Sequence, residues 1–145
     1  MADRPTHVLL QAGVGGLAAA VAAELRLAWG DAPQMVVVEP EAAPALIDSI
    51  RAGRVVVTSG PVSAMGRLDC KTPSMLALAD LARDADCFVT LTEEEAATGA
   101  EAVAAAGLPS TPSGAAGVAA MLAGLDGINA ESHVLCILSE GPENG

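Results

Sequence analysis

The segment Gln11-Ala12-Gly13-Val14-Gly15-Gly16-Leu17 carries the residue types and spacing most suited to chemistry. Glycines at 13, 15 and 16 let a backbone approach an anion closely. The N–H groups that open a following helix would point at that anion, with the positive end of the helix dipole behind them. The ligand chemistry implied is a phosphate held by backbone amides. The same residues also satisfy G-x-G-x-x-A through Gly13-Val14-Gly15-Gly16-Leu17-Ala18. Glu39 ends the next apolar run, where an acid would bind the ribose hydroxyl of a dinucleotide. Three alternatives therefore stand: a cofactor phosphate held wholly by backbone, a non-catalytic dinucleotide-binding module using Gly13, Gly15, Gly16 and Glu39, and a tight strand-to-helix corner with no ligand. Ser139 follows the apolar run Val134 to Leu138 and so stands at the carboxyl end of a strand, the edge where parallel α/β sheets bind ligands.

The elements that must position these residues alternate short apolar runs with alanine-rich periodic segments. That is the pattern of a mostly parallel sheet with helices on both faces, an α/β three-layer, Rossmann-like architecture. Strands are predicted at Val8 to Gln11, Met35 to Glu39, Val55 to Thr58, Phe88 to Leu91 and Val134 to Leu138. Helices are predicted at Gly15 to Trp29, Pro44 to Arg51, Ser74 to Arg83, Thr92 to about Ala106 and Ala115 to Leu125. Gly60-Pro61, Gly66 and Pro73 make Ser59 to Pro73 a loop or short helix. No repeat or linker divides the chain, so residues 1–145 are expected to form a single α/β domain.

Other reactive side chains have plainer explanations. Thr92 with Glu95 three residues on is a capping box, and acids at 93–95 suit a first helical turn, so Glu93-Glu94-Glu95 is not read as a metal cluster. His7 and His133 each precede a strand, with no cysteine or histidine at ligand spacing. Lys71, the only lysine, stands among polar and turn residues and is expected to be a solvated surface group. Cys70, Cys87 and Cys136 show neither C-x-x-C spacing nor a histidine pair, so neither a disulfide framework nor a zinc site is expected, and a cytoplasmic setting fits.

Composition narrows the partners. In 145 residues with 52% apolar content there is room for one packed core, and Trp29 and Phe88 are its only aromatics. Eighteen acids against seven bases give a net charge of -11, which repels nucleic acid and anionic membranes. The N-terminus Met1 to Pro5 lacks the basic and long apolar stretches of an export or membrane segment.

Taken together, Leu10 to Gly16, Val38-Glu39-Pro40, Met65-Gly66-Arg67-Leu68-Asp69-Cys70, Ser113-Gly114-Ala115-Ala116-Gly117 and Ile137-Leu138-Ser139-Glu140-Gly141 resemble the carboxy-terminal portion of a fold type II pyridoxal-phosphate enzyme. The resemblance runs nearly the full length and is greatest to diaminopropionate ammonia-lyase within that group. It implies part of the large domain of such an enzyme, with pyridoxal 5'-phosphate as cofactor. The N–H groups of Gly13, Val14, Gly15, Gly16 and Leu17 would hold its phosphate, and the Ser139 hydroxyl would meet its pyridine nitrogen. The implied reaction is α,β-elimination from a small amino acid, ending in a keto acid and ammonia.

The resemblance also implies what the chain lacks. The family's Schiff-base lysine lies upstream of the glycine loop, and Lys71 does not match it, so no catalytic residue is assigned and the chain alone is expected to be inactive. Association with a missing amino-terminal portion, or a homo-oligomer through exposed apolar surface, is the expected consequence. Relatives that hold a divalent cation use the glutamate of Val-Glu-Pro with a later acid; that later position is Ala45, so no metal is expected. Thr111-Pro112 replaces the acid that relatives often carry before Ser113-Gly114, which leaves the exact reaction open.

Overall fold

A computed structural model describes residues 3–143. Met1 and Ala2 of the N-terminal stretch considered above lie outside them, as do Asn144 and Gly145. Nine elements follow one another: β1 (His7–Gln11), α1 (Gly16–Trp29), β2 (Gln34–Pro40), α2 (Ala45–Ala52), α3 (Met75–Asp84), β3 (Cys87–Leu91), α4 (Glu93–Ala105), α5 (Ala116–Ala123) and β4 (Val134–Cys136). The strands form one sheet in the order β3-β2-β1-β4, and every pairing is parallel.

β1 and β2 are apolar without alternation because both of their faces are covered. Val8, Leu10, Met35 and Val37 pack beneath α1, α2 and α3 with Ala18, Ala22, Leu46 and Leu81, while Leu9, Val36 and Val38 face α4 and α5 with Ala96, Ala116 and Ala119. Small side chains let the helices come close. At the α4–α5 contact a Cβ on Gly99 would lie 2.6 Å from the Ala119 Cα.

The connections decide where the sheet opens. From β1 through β2 to β3 the chain steps one way across the sheet, with α1, α2 and α3 on one face. It then returns past both to lay β4 on the far side of β1, with α4 and α5 on the other face. Right-handed crossovers in opposite directions place their helices on opposite faces, and the crevice where the direction reverses lies between the carboxyl ends of β1 and β4.

Two expectations are corrected. Val55 to Thr58 is not a strand: β2 is already paired on both edges by β1 and β3, and this run finds its hydrogen bonds elsewhere. The Val56 N–H donates to the Ser49 Oγ and the Thr58 N–H to the Lys71 carbonyl. β4 ends at Cys136, not Leu138, because its ladder with β1 stops at Leu9↔Cys136. Helix ends otherwise follow local chemistry. Ser74 caps α3 by accepting from the Ala77 N–H, Thr92 and Glu95 form the capping box of α4, and Gly124 at φ 94° ends α5 before Leu125.

Arg26 closes the end of the molecule opposite the crevice. Its guanidinium, with its side chain only 14% exposed, donates to the carbonyls of Gly30, Pro33 and Asp84 and pairs with Asp86 at 2.7 Å. Asp86 in turn accepts from the Met35 N–H at 2.7 Å, so one side chain ties α1 to the entry of both β2 and β3. Arg26→Met keeps the stem but strands these acceptors. Urea unfolding should show a loss of about 2 kcal/mol or more, because unpaired buried acceptors cost more than the net value of a bond.

Candidate functional site

The glycine loop leaves β1 at the centre of the carboxyl edge. Gly13 has no room for a side chain, since a Cβ there would sit 2.8 Å from the Arg67 carbonyl and 3.0 Å from the Cys70 sulfur. Gly15 turns the corner into α1 at φ 103°, a conformation that strains any L side chain, and packs against Ala77 and Leu46. The loop is pinned from both sides: the Ala12 N–H donates to the Val38 carbonyl and the Ser74 N–H to the Val14 carbonyl.

Gly16 differs from both. Nothing lies within 4 Å of where its Cβ would be, and it opens α1 without a positive φ. No side chain caps α1 and its first turn holds no acid, so the first N–H groups of this fourteen-residue helix have no partner within the helix or from a cap. They border a cleft of about 240 Å³ lined by Gln11 to Ala18, by Arg67, Leu68 and Cys70, and by Ser139. The structure therefore brings all six sequence-predicted positions, Gly13, Val14, Gly15, Gly16, Leu17 and Ser139, to one cleft, although Ser139 is 122 residues from Leu17 in the chain.

Ser139 is exposed, and its Oγ accepts from the Gln11 Nε2 at 2.9 Å. Gln11, 4% exposed, also donates to the carbonyls of Ile137 at 2.7 Å and Gly114 at 3.1 Å. Sequence reasoning gave Gln11 no role and treated Arg67, Leu68 and Cys70 only as loop. Only their place in the resemblance marked them, because contacts across 50 to 130 residues leave no periodic signal. Arg67 is anchored by its own N–H donating to the Ser113 Oγ, and its guanidinium lies 3.5 Å from Glu140, whose carboxylate also accepts from the Thr111 hydroxyl.

Glu39 is corrected as a ribose ligand. It is fully buried, and its two carboxylate oxygens accept from the Leu46 and Ile47 N–H groups at 2.6 and 2.9 Å, so it serves as the cap of α2. Burial, only partly offset by those two bonds, raises its pKa to about 7. Lys71 is corrected as a free surface lysine. Its Nζ donates to the carbonyls of Ala42 and Pro61 and to the Asp69 carboxylate at 2.6 Å, which holds Asp69 below the usual carboxylate range. His7 starts β1 and His133 directly precedes β4, where the Thr6 N–H donates to the His133 carbonyl and the His133 N–H to the Thr6 hydroxyl. Burial pushes the Cys136 thiol up to about 11, far from a reactive thiolate. Among the described residues no His, Cys, Asp and Glu side chains are grouped to hold a metal, and no helix is long and apolar enough to cross a membrane.

Residues 1–140 match the family described as pyridoxal-phosphate dependent enzyme. The chain belongs to that family. Pyridoxal 5'-phosphate is the family's cofactor, as the sequence motifs implied. The chain is similar to the threonine deaminase of T.th., at 25% identity and a TM-score of 0.88, over 98% of this chain and 52% of that one. It is similar to diaminopropionate ammonia lyase from Escherichia coli, at 29% identity and a TM-score of 0.85, over 97% of this chain and 40% of that one. Maize serine racemase shares the fold, at 20% identity and a TM-score of 0.85, over 97% of this chain and 44% of that one. No curated protein matches. The chain thus spans about half the length of the solved structures it resembles, and its four-stranded parallel sheet with five helices matches their three-layer fold.

The cleft fits the family's cofactor on its own geometry. Gly16 is small with no neighbour in the chain to require it, and the uncapped amides beside it suit a phosphate dianion.

Glu39 gives the fold a pH signature. Its folded pKa of about 7 lies above the ordinary 4.5, so the folded state holds this proton more tightly than the unfolded chain. The stability linked to it is full below about pH 4.5 and is lost as pH rises through 7. Chemical denaturation should show the wild-type chain losing up to about 3 kcal/mol of this contribution between about pH 5 and 8. Glu39→Gln should flatten that slope; an unchanged slope would assign it to another group.

Proposed function

We propose that the chain is the carboxy-terminal portion of a pyridoxal-phosphate-dependent ammonia-lyase acting on a small amino acid by α,β-elimination, similar to diaminopropionate ammonia-lyase. The N–H groups of Gly13, Val14, Gly15, Gly16 and Leu17 hold the cofactor phosphate, and the Ser139 hydroxyl donates to the pyridine nitrogen. The observation that carries this reading is one cleft at the sheet's switch point, bordered by the uncapped start of α1 and by Ser139. The 29% identity to diaminopropionate ammonia lyase over 97% of this chain supports that comparison.

The bound cofactor supplies the electron sink for a substrate carbanion. The residues of this chain bind and orient. Backbone amides at a helix start stabilise the phosphate dianion by hydrogen bonds and the helix dipole, and Ser139 offers the ring nitrogen a neutral donor that need not protonate it. Lys71 cannot serve as a Schiff-base lysine while its ammonium is held by three oxygens. Catalysis then falls to a lysine outside this chain, and the chain by itself is inactive. The three free thiols accord with a cytoplasmic setting.

An absorbance titration with pyridoxal phosphate should saturate, and borohydride reduction followed by mass spectrometry should find no specific lysine adduct; NAD run alongside should not bind. Gly16→Ala adds a methyl where the chain leaves open space. It should weaken both pyridoxal phosphate and inorganic phosphate by about tenfold while leaving the melting temperature unchanged or slightly raised, since alanine suits a helix better than glycine. Unchanged affinity would remove the phosphate from this loop.

Apolar surface is exposed beside the cleft. Val14 and Leu17 beside the cleft are 47% and 53% exposed, and Met75 borders an apolar groove with Ile50, Val55 and Leu78. The isolated chain should therefore associate, either with itself or with an amino-terminal portion added in trans. Light scattering at high concentration should give a mass above the 14.3 kDa of one chain.

A further inference from the structure

The cleft contains one buried polar side chain that the phosphate cradle does not explain. Gln11 ends β1, where the β1–β4 ladder has already stopped, and its amide bridges the gap that the two strands leave open. Its Nε2 lies 2.7 Å from the Ile137 carbonyl, 2.9 Å from the Ser139 Oγ and 3.1 Å from the Gly114 carbonyl, three acceptors that share its two hydrogens, while its Oε1 is buried with no hydrogen-bond partner. An orphaned buried acceptor loses its hydration without a protein bond to replace it, so it costs stability. The amide orientation is nonetheless settled by its surroundings, because turning it over would set Oε1 against two carbonyl oxygens. α5 also leaves space for this amide: a Cβ at Gly117 would lie 3.2 Å from the Gln11 Oε1. A glutamine kept with an unpaired oxygen is retained for what its nitrogen does.

That nitrogen has hydrogens and no lone pair to offer. Ser139 must accept from it, which leaves the hydroxyl's own hydrogen to point elsewhere, and the exposed side of Ser139 is the cleft. A carboxylate at position 11 would do the reverse, drawing the hydroxyl hydrogen inward and presenting oxygen lone pairs to the cleft.

We propose that Gln11 is a positioning residue that fixes the polarity of Ser139, so that the hydroxyl meets the cofactor ring as a hydrogen-bond donor to an unprotonated pyridine nitrogen. The inference rests on the proposed cofactor site and deepens it. It makes ring-nitrogen recognition a two-residue device, built from the end of one strand and the turn after another, and separable from phosphate binding.

The test compares three ligands on the full chain: pyridoxal phosphate, its analogue with carbon in place of the ring nitrogen, and inorganic phosphate. Gln11→Met should weaken pyridoxal phosphate about fivefold to tenfold while changing the carbon analogue and inorganic phosphate less than about twofold. Ser139→Ala should do the same, and the double variant should be no worse than either single one. A merely structural role would lower all three affinities together, and that result, or additive losses, overturns the inference. Because Gln11→Met strands two carbonyls and can fail to fold, the side-chain amide resonance of Gln11 in the unsubstituted chain provides a second measurement. It should shift with pyridoxal phosphate and stay put with the carbon analogue; equal shifts overturn the inference. If the unsubstituted chain binds inorganic phosphate but neither ring compound, the cofactor site itself is refuted and the inference falls with it.

Discussion

The return of β4 to the far side of β1 is the constraint on which the rest of the structure depends. In a parallel sheet every strand carries its carboxyl end to the same edge, and a reversal of crossover direction pulls the flanking helices to opposite faces at one point. That point lies between β1 and β4, and the ladder between them stops at Leu9↔Cys136 while β1 continues to Gln11. The sheet therefore opens between β1 and its edge strand β4. The glycine loop emerges on one lip, Ser139 on the other, and the Gln11 amide spans the opening.

Charge is distributed to match. With eighteen acids and seven bases the chain has few basic groups to offer a phosphate; Arg67 lines the cleft but lies 3.5 Å from Glu140, and the dipole and free amides of α1 add their attraction. Of the other helix starts, α5, like α1, has no side-chain cap, whereas α2 is closed by the Glu39 carboxylate, α3 by Ser74 and α4 by Thr92 with Glu95. Lys71 is likewise consumed internally, joining Ala42, Pro61 and Asp69 beneath the loop that presses on Gly13.

Much of this was legible in the residues. The run into Gly13, the alanine-rich α1, the apolar β2 and the capping box of α4 depend on neighbours a few positions away, and local propensity and packing agree there. Val55 to Thr58 failed because a β-branched run looks the same whether or not a strand edge is free to pair with it, and β2 had none to give. Glu39 and Lys71 failed for a related reason. A carboxylate at a strand end and a lysine among turn residues have the same local signature whether they meet solvent, a ligand or a distant backbone group.

The sequence by itself determined the alternation of strands and helices, the glycine corner at Gly15, and the acidic balance that turns the chain away from nucleic acid. These follow from local sterics and from summed charge, which need no knowledge of the fold. Tertiary structure alone decided that Glu39 caps a helix, that Lys71 is spoken for, and that the Gln11 amide reaches the Ser139 hydroxyl. Glu39 depends on which helix start folds over a strand end, Lys71 on how its own loop folds back on Ala42 and Pro61, and Gln11 on the crossover that lays β4 beside β1. Hydrogen bonds, unlike propensities, are settled only by that geometry.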